Sequence, residues 1–298
     1  MTDTVITDVT GRDGFQMEKE WIGTEDKIKI INSIIDSGIP RIEATSFVSP
    51  KAVPQLKDAK EVISRINRRD VEIIALVPNV KGAERALEAE VDSINVVLSI
   101  SETHNMKNIN KTVDQSIQEI TEISKFTESE KINISLGTTF GCPFEGLYDV
   151  QKVSEIVRRL SAIGLNRFTL ADTTGMASPF QVTFFVKRLK SAYPDAEFGL
   201  HLHNTRGMGL ANVYAGYQEG IRQFDAALGG IGGCPFAPGA SGNVCLEDTV
   251  HMLHLMNILD GVDLQKLIEA SRELERILGY QLPGQVMKAG LSTDTHIA

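Results

Sequence analysis

Short runs of β-branched and apolar residues alternate along the whole chain with longer stretches whose apolar positions recur every three to four residues. Alternation of strand-like and helix-like periods predicts parallel βαβ units. The strand-like runs fall at 4–9, 41–47, 71–77, 93–100, 132–140, 167–171, 197–203 and 223–228. The first helical stretch takes Thr24 as N-cap, repeats Ile28, Ile31, Ile34 and Ile35 on one face, and stops at Gly38. Further helices are expected at about 53–66, 81–89, 112–126, 150–163, 179–192, 209–220 and 246–259. Ser178 before Pro179 is a good first-turn pairing of cap and proline. The 101–108 segment reads as a loop, and a last helix at about 264–278 precedes a polar tail.

Eight strand–helix units without a linker or low-complexity run favour a closed (β/α)8 TIM barrel. A doubly wound sheet is the runner-up, but no GxGxxG turn follows the first strand. The expectation is one domain over 1–298, with the barrel at about 4–260 and a C-terminal helical extension at about 261–298.

The chain of 298 residues carries a net charge of -9 and no basic stripe, which argues against nucleic acid as a partner. Apolar runs fall far short of the ~18 residues of a membrane span, so no membrane partner is expected. Three cysteines, Cys142, Cys234 and Cys245, do not make a disulfide framework. The N-terminus has no secretory pattern. These features read as a soluble protein of a reducing compartment, most simply the cytoplasm.

Polar residues gather where strands end, which is where barrel enzymes carry their chemistry. His201 and His203 stand two apart on the seventh strand and therefore point the same way. Spacing alone leaves open whether they are core histidines or half of a metal site. Asp13 follows the first strand; on its own it reads as a turn aspartate, but beside the histidines it supplies a hard oxygen ligand. Two histidines, a carboxylate and a carboxamide oxygen suit Mg²⁺, Mn²⁺, Co²⁺ or Zn²⁺. Glu43 lies on the second strand, Asp172 and Thr173 end the sixth, and a glycine-rich stretch at 229–233 leads into Cys234. A thiol in a mobile glycine loop can be carried into a site as an acid. Cys245 reads as a small buried hydrophobe, and Cys142 is undecided.

The motifs Arg12-Asp13-Gly14-Phe15-Gln16, Ile42-Glu43-Ala44-Thr45-Ser46-Phe47-Val48-Ser49-Pro50, Lys107-Asn108-Ile109-Asn110, His201-Leu202-His203-Asn204 and Gly232-Gly233-Cys234-Pro235-Phe236, with Ser241-Gly242-Asn243, resemble the 3-hydroxy-3-methylglutaryl-CoA (HMG-CoA) lyases of the DRE-TIM metallolyase superfamily. The resemblance runs from about residue 4 to about residue 280. It implies metal-dependent retro-Claisen cleavage of an acyl-CoA, with CoA entering as part of the substrate. By the same resemblance Asp13, His201, His203 and Asn243 bind the metal. Arg12 stabilises the thioester enolate, Cys234 protonates it, Glu43 supports the site, and Asp172 lies near the substrate. Gln16, Thr173 and Asn110 are carried over as substrate contacts, with Lys111 and the 101–108 segment as further candidates toward CoA. Asp13 and His201 are both candidates for taking the hydroxyl proton. Barrels of this sort often form homodimers, and the C-terminal extension is a candidate contact, although no residue pattern shows it.

The chain departs from the lyase pattern at Gly11 and Phe15, usually proline and leucine, and at Asn204, usually aspartate. Ala226 and Ala227 replace a pair of serines, and Ala171 a glycine before Asp172. These changes leave cleavage intact but bear on the acyl group. Citramalyl-CoA or a longer-branched homologue would keep the same chemistry, and a Claisen-condensing synthase or aldolase is the more distant alternative.

Overall fold

A computed structural model describes residues 4–233 and 242–293. Strands β1 (Val5–Asp8), β2 (Arg41–Ser46), β3 (Glu72–Val77), β4 (Ser93–Ser99), β5 (Ile132–Gly137), β6 (Arg167–Asp172), β7 (Glu197–Leu202) and β8 (Gln223–Ala226) close into one parallel barrel in sequence order. The closure is made by β1 against β8, from Val5 opposite Gln223 to Asp8 opposite Ala226. This is the expected TIM barrel. Outward positions such as Ile42, Ile73, Ile94, Ile134 and Phe168 are buried under the helices. That two-sided burial explains why the strands read as nearly continuous apolar runs.

The helices are α1 (Thr24–Asp36), α2 (Ala59–Arg65), α3 (Val80–Glu88), α4 (Glu102–Ile109), α5 (Val113–Ile123), α6 (Val150–Ser161), α7 (Pro179–Ala192), α8 (Gly209–Gln218), α9 (Leu246–Leu255), α10 (Leu264–Leu278) and α11 (Val286–Ala289). In α1, Ile28, Ile30, Ile31, Ile34 and Ile35 are all buried. Thr24 is the first helical residue and not the cap; its hydroxyl donates to Asp58 Oδ2 at 2.9 Å. Ser178 does cap α7, its Oγ accepting from Gln181 N at 3.3 Å. After the barrel, α10 packs on α1 and α9.

Several boundaries differ from the periodicity. The 101–108 segment is not a loop: α4 forms there, with Ser101 Oγ accepting from His104 N. Its two turns of mostly polar residues hid it, since His104, Lys107, Asn108 and Ile109 line a cavity and not a core. The expected 53–66 helix is split into a 3-10 turn (Pro54–Leu56) and α2. β5 ends at Gly137 because Thr138 turns to φ 56°. Among the described residues, no helix is long and apolar enough to cross a membrane.

Candidate metal centre and active-site cavity

The chain leaves β1 in a five-residue π-helical turn, Thr10–Gly14, which is wholly buried. This turn sets Arg12 and Asp13 over the mouth of the barrel. From across the closure, β7 presents His201, and His203 follows just past its end, bridged to Asn243. Asp13, His201 and His203 each bring a ligand atom within 4.8 Å of the others, and all three are buried. His201 Nε2 lies 3.1 Å from His203 Nε2. Asp13 Oδ2 is 3.9 Å from the first and 3.6 Å from the second. Asn243 Nδ2 donates to the same oxygen at 2.7 Å.

These residues fit a divalent cation. Two ligands in adjacent octahedral positions at about 2.1 Å from an ion stand about 3 Å apart, which is the spacing of the two imidazole nitrogens. Asn243 Oδ1 is buried and bonds to nothing among the described residues, and an orphaned buried carbonyl oxygen is costly unless a donor or cation meets it. A half-turn of the amide would present that oxygen to the cluster. The set of two imidazoles, a carboxylate and a carboxamide is a hard N/O set.

The electrostatics favour an ionised Asp13 and a neutral His203, and pull the other way at His201. Burial opposes ionisation of Asp13, but Arg12, the two histidines and the Asn243 amide outweigh it and lower the carboxyl to about 2. Burial, with His201 and Arg12 nearby, lowers His203 to about 4 against the pull of Asp13. For His201 burial is overcome by the hydrogen bond to Asp225 and by Asp13, and its pKa is raised.

Behind Asp13, His201 and His203 stands a supporting layer. Arg12 Nε donates to Glu43 Oε2 at 2.5 Å, and its Nη1 donates to Asp13 Oδ1. Gln16 Nε2 also donates to Asp13 Oδ1, at 2.7 Å. His201 Nδ1 lies 3.2 Å from Asp225 Oδ2. Asp225 was missed in the sequence, although strand alternation along 223–226 turns it inward. A carboxylate behind a ligating histidine fixes the tautomer that frees Nε2 for a metal.

A cavity of about 450 Å³ opens over this cluster. Arg12, Asp13, Gln16, His201 and His203 form one wall; Ser99, Ser135 and Thr173 continue it around the barrel. The remaining lining includes the apolar Val48, Val53, Leu76 and Val97, and α4 with Lys107, Asn108 and Asn110. Of the residues expected at the site, Arg12, Asp13, Gln16, Asn110, Thr173, His201 and His203 line this cavity, while Asn243 holds Asp13. Glu43 is buried beneath them. Asp172 is buried too, but its carboxylate accepts from Met176 N (2.7 Å) and Ala177 N (3.1 Å), closing its own turn. Burial raises Asp172 to about 6, partly offset by those two N–H groups. Cys234 and Ser241 lie outside the described residues; Gly233, next to Cys234 in sequence, lines the cavity. Cys142 is buried with Sγ 3.2 Å from Ser101 Oγ, and Cys245 is buried before α9.

The departures from the lyase pattern mostly lie elsewhere. Ala226 and Ala227 are fully buried, and Asn204 Oδ1 accepts from Gly209 N at 2.9 Å, tying down the start of α8. Phe15 is fully buried. Only Ala171 among them faces the cavity.

Comparison with known proteins identifies the family. A family model described as HMGL-like matches residues 4–274. The chain is 42% identical to a hydroxymethylglutaryl-CoA lyase of Bacillus subtilis, with 94% of this chain and 95% of the relative covered. It is 39% identical to an (R)-citramalyl-CoA lyase of Chloroflexus aurantiacus, covering 97% and 96%. A solved HMG-CoA lyase from Acinetobacter baumannii, in complex with coenzyme A and 3-methylmalate, superposes with a TM-score of 0.95 at 48% identity, covering 99% of this chain and 97% of that one. The chain belongs to the HMGL-like family.

Proposed function

We propose that this chain is a divalent-metal-dependent hydroxymethylglutaryl-CoA lyase, cleaving 3-hydroxy-3-methylglutaryl-CoA to acetyl-CoA and acetoacetate. The observation that carries the reading is the convergence of Asp13, His201 and His203 beside Arg12 on one wall of a cavity large enough for an acyl thioester, with Asn243 bonded to Asp13 behind them. Near full-length similarity to HMG-CoA lyases supports the same activity.

Asp13, His201, His203 and Asn243 would hold the metal, with Mg²⁺ or Mn²⁺ favoured by the hard donors and Co²⁺ or Zn²⁺ next. A bound cation would polarise the tertiary hydroxyl of the substrate, and Asp13 or His201 would take the hydroxyl proton. The C2–C3 bond then breaks, C3 becomes the ketone of acetoacetate, and the electron pair passes into the thioester as an enolate. Arg12, charged at any working pH, faces the growing negative charge on the thioester oxygen. Glu43 and Asp13 fix the guanidinium through Nε and Nη1. Cys234 would deliver a proton to C2, completing acetyl-CoA. Gln16, Thr173 and Asn110 line the cavity and would meet substrate there; Asp172 would lie near the substrate while its carboxylate holds the turn that follows Thr173.

A second reading, citramalyl-CoA cleavage to acetyl-CoA and pyruvate, is favoured by the 39% identical relative. It uses the same bond breaking. The test is an assay of purified protein with Mg²⁺ or Mn²⁺ on both thioesters, with EDTA and Cys234→Ala as controls. Cleavage of the first, lost in both controls, is the expected result. Cleavage of citramalyl-CoA alone would move the substrate, and cleavage of neither with metal bound would reject the activity.

A further inference from the structure

Below the ligand cluster the barrel axis is polar. TIM-barrel interiors are normally filled by layers of branched apolar side chains. Here Asn95 of β4 stands opposite Asn133 of β5 in the strand register, and Thr169 of β6 lies beside them. The three are hydrogen-bonded in series. Asn133 Nδ2 donates to Thr169 Oγ1 at 3.0 Å and to Asn95 Oδ1 at 2.9 Å. Asn95 Nδ2 then donates to Glu43 Oε1 at 2.7 Å. The other oxygen of Glu43 accepts from Arg12 Nε at 2.5 Å. A chamber of about 20 Å³ between this series and Asp225 has room for about one water molecule.

Two amides at the centre of a barrel gain nothing in packing over leucines of similar shape, and each must be bonded to avoid an unpaired buried group. What the series supplies is direction. A carboxylate that accepts at both oxygens from opposite sides cannot rotate freely, so Glu43 presents a fixed acceptor to Arg12. The guanidinium is thereby aimed from below and held from the side by Asp13. Asn95 and Asn133 line the lower chamber and not the cavity over the site, so any effect on chemistry passes through Glu43.

We propose that Asn95 and Asn133 are positioning residues for C–C cleavage, holding Glu43 so that Arg12 faces the enolate oxygen; this rests on the lyase reading above. Arg12 would act on charge that exists only as the bond breaks. Loss of its aim therefore lowers kcat and leaves substrate binding alone.

The experiment compares Asn95→Leu, Asn133→Leu and Asn95→Asp with the unaltered protein, each checked for folding by circular dichroism and melting. The leucine variants are expected to lose roughly ten- to a hundredfold in kcat, with KM for the acyl-CoA and affinity for Mn²⁺ unchanged. Asn95→Asp keeps the shape, but its carboxyl can donate to Glu43 only while protonated. Its activity relative to wild type should therefore climb as pH falls. Folded leucine variants with wild-type kcat would overturn the inference, as would a flat ratio for Asn95→Asp across pH. If the leucine variants do not fold, Asn95→Asp and Thr169→Val decide it by the same readouts. Failure of the unaltered protein to cleave either thioester would overturn the activity and this inference together, whereas variants matching wild type overturn the inference alone.

Discussion

Asp225 Oδ2 lies 3.2 Å from His201 Nδ1, on the face of the imidazole opposite the one that meets His203. In the tautomer whose Nδ1–H donates to this carboxylate, Nε2 keeps its lone pair toward Asp13 and His203. Partners of this kind set the tautomer and basicity of a ligating histidine. Asp225→Asn retains the size but can offer its NH2 to Nδ1, favouring the wrong tautomer. Affinity for Mn²⁺, measured by titration calorimetry, is expected to fall roughly 10–100-fold. Unchanged affinity in a folded variant would mean that His201 is oriented by packing alone.

The second prediction concerns the departures from the lyase pattern. Asn204 spends its Oδ1 on Gly209 N, at the start of α8, and does not line the cavity. Asn204→Asp should therefore leave kcat/KM for the preferred thioester within about a factor of two. A carboxylate at a helix N-terminus should add up to about 1 kcal/mol of stability. Ala226→Ser would carry a hydroxyl into a fully buried position, so it should lower the melting temperature and leave substrate choice alone. A change in the ratio of HMG-CoA to citramalyl-CoA turnover in either variant would show that these positions reach the acyl group after all.

How far the sequence carries the fold and the site follows from which interactions are local. All eight strands were legible because both faces of each are covered, which leaves dense β-branched runs such as Ile94–Leu98. Asp13, His201 and His203 were legible because strand alternation and the end-of-strand rule place polar residues at the rim. Asp225 and Asn95 were not, since an isolated polar residue inside a strand looks the same whether it meets solvent or another side chain across the barrel. α4 was missed because Glu102–Ile109 has few buried apolar positions; the cap at Ser101 and the hydrogen bonds that Ser101 Oγ and Thr103 N donate to Glu145 hold it. That Asn204 and the two alanines avoid the cavity also required the closed barrel, because one residue of strand register decides which face a side chain takes.

Gly232 tests the coupling of the glycine-rich segment to the metal centre. It has φ +91°, and a Cβ there would lie 2.6 Å from Asn243 Nδ2 and 2.8 Å from Asp13 O. Gly232→Ala must therefore displace Asn243 or Asp13; on the proposed metal site it is expected to weaken Mn²⁺ binding at least about tenfold and to lower activity with it. Gly164→Ala is the control, with φ +86° and nothing within 4 Å of the added atom. It should cost about 1 kcal/mol of stability from the left-handed backbone while metal affinity stays at the wild-type value. Equal metal affinity in both variants would uncouple the segment from the site.

Asp8 provides a prediction on pH. Its side chain is fully buried at the end of β1, accepting from Thr10 N at 3.1 Å and Thr10 Oγ1 at 2.6 Å. Burial, aided by the more distant charge of Glu247, raises its carboxyl from the ordinary 3.8 to about 7 against the hydrogen bonds from Thr10. Between these values the folded chain holds a proton that the unfolded chain releases. Stability is thus lost as pH rises from about 4 through about 7 and is level above that. A shift of this size corresponds to something on the order of 4 kcal/mol. Asp8→Asn keeps an acceptor for Thr10 N and removes the ionisation. The variant should gain on wild type between pH 5 and pH 8 by a few kcal/mol, on the order of the shift. Urea midpoints at the two pH values, taken with EDTA so that metal binding does not contribute, measure the gain. A difference between variant and wild type that is the same at both pH values would mean that Asp8 stays ionised across the range, and that burial does not hold its proton.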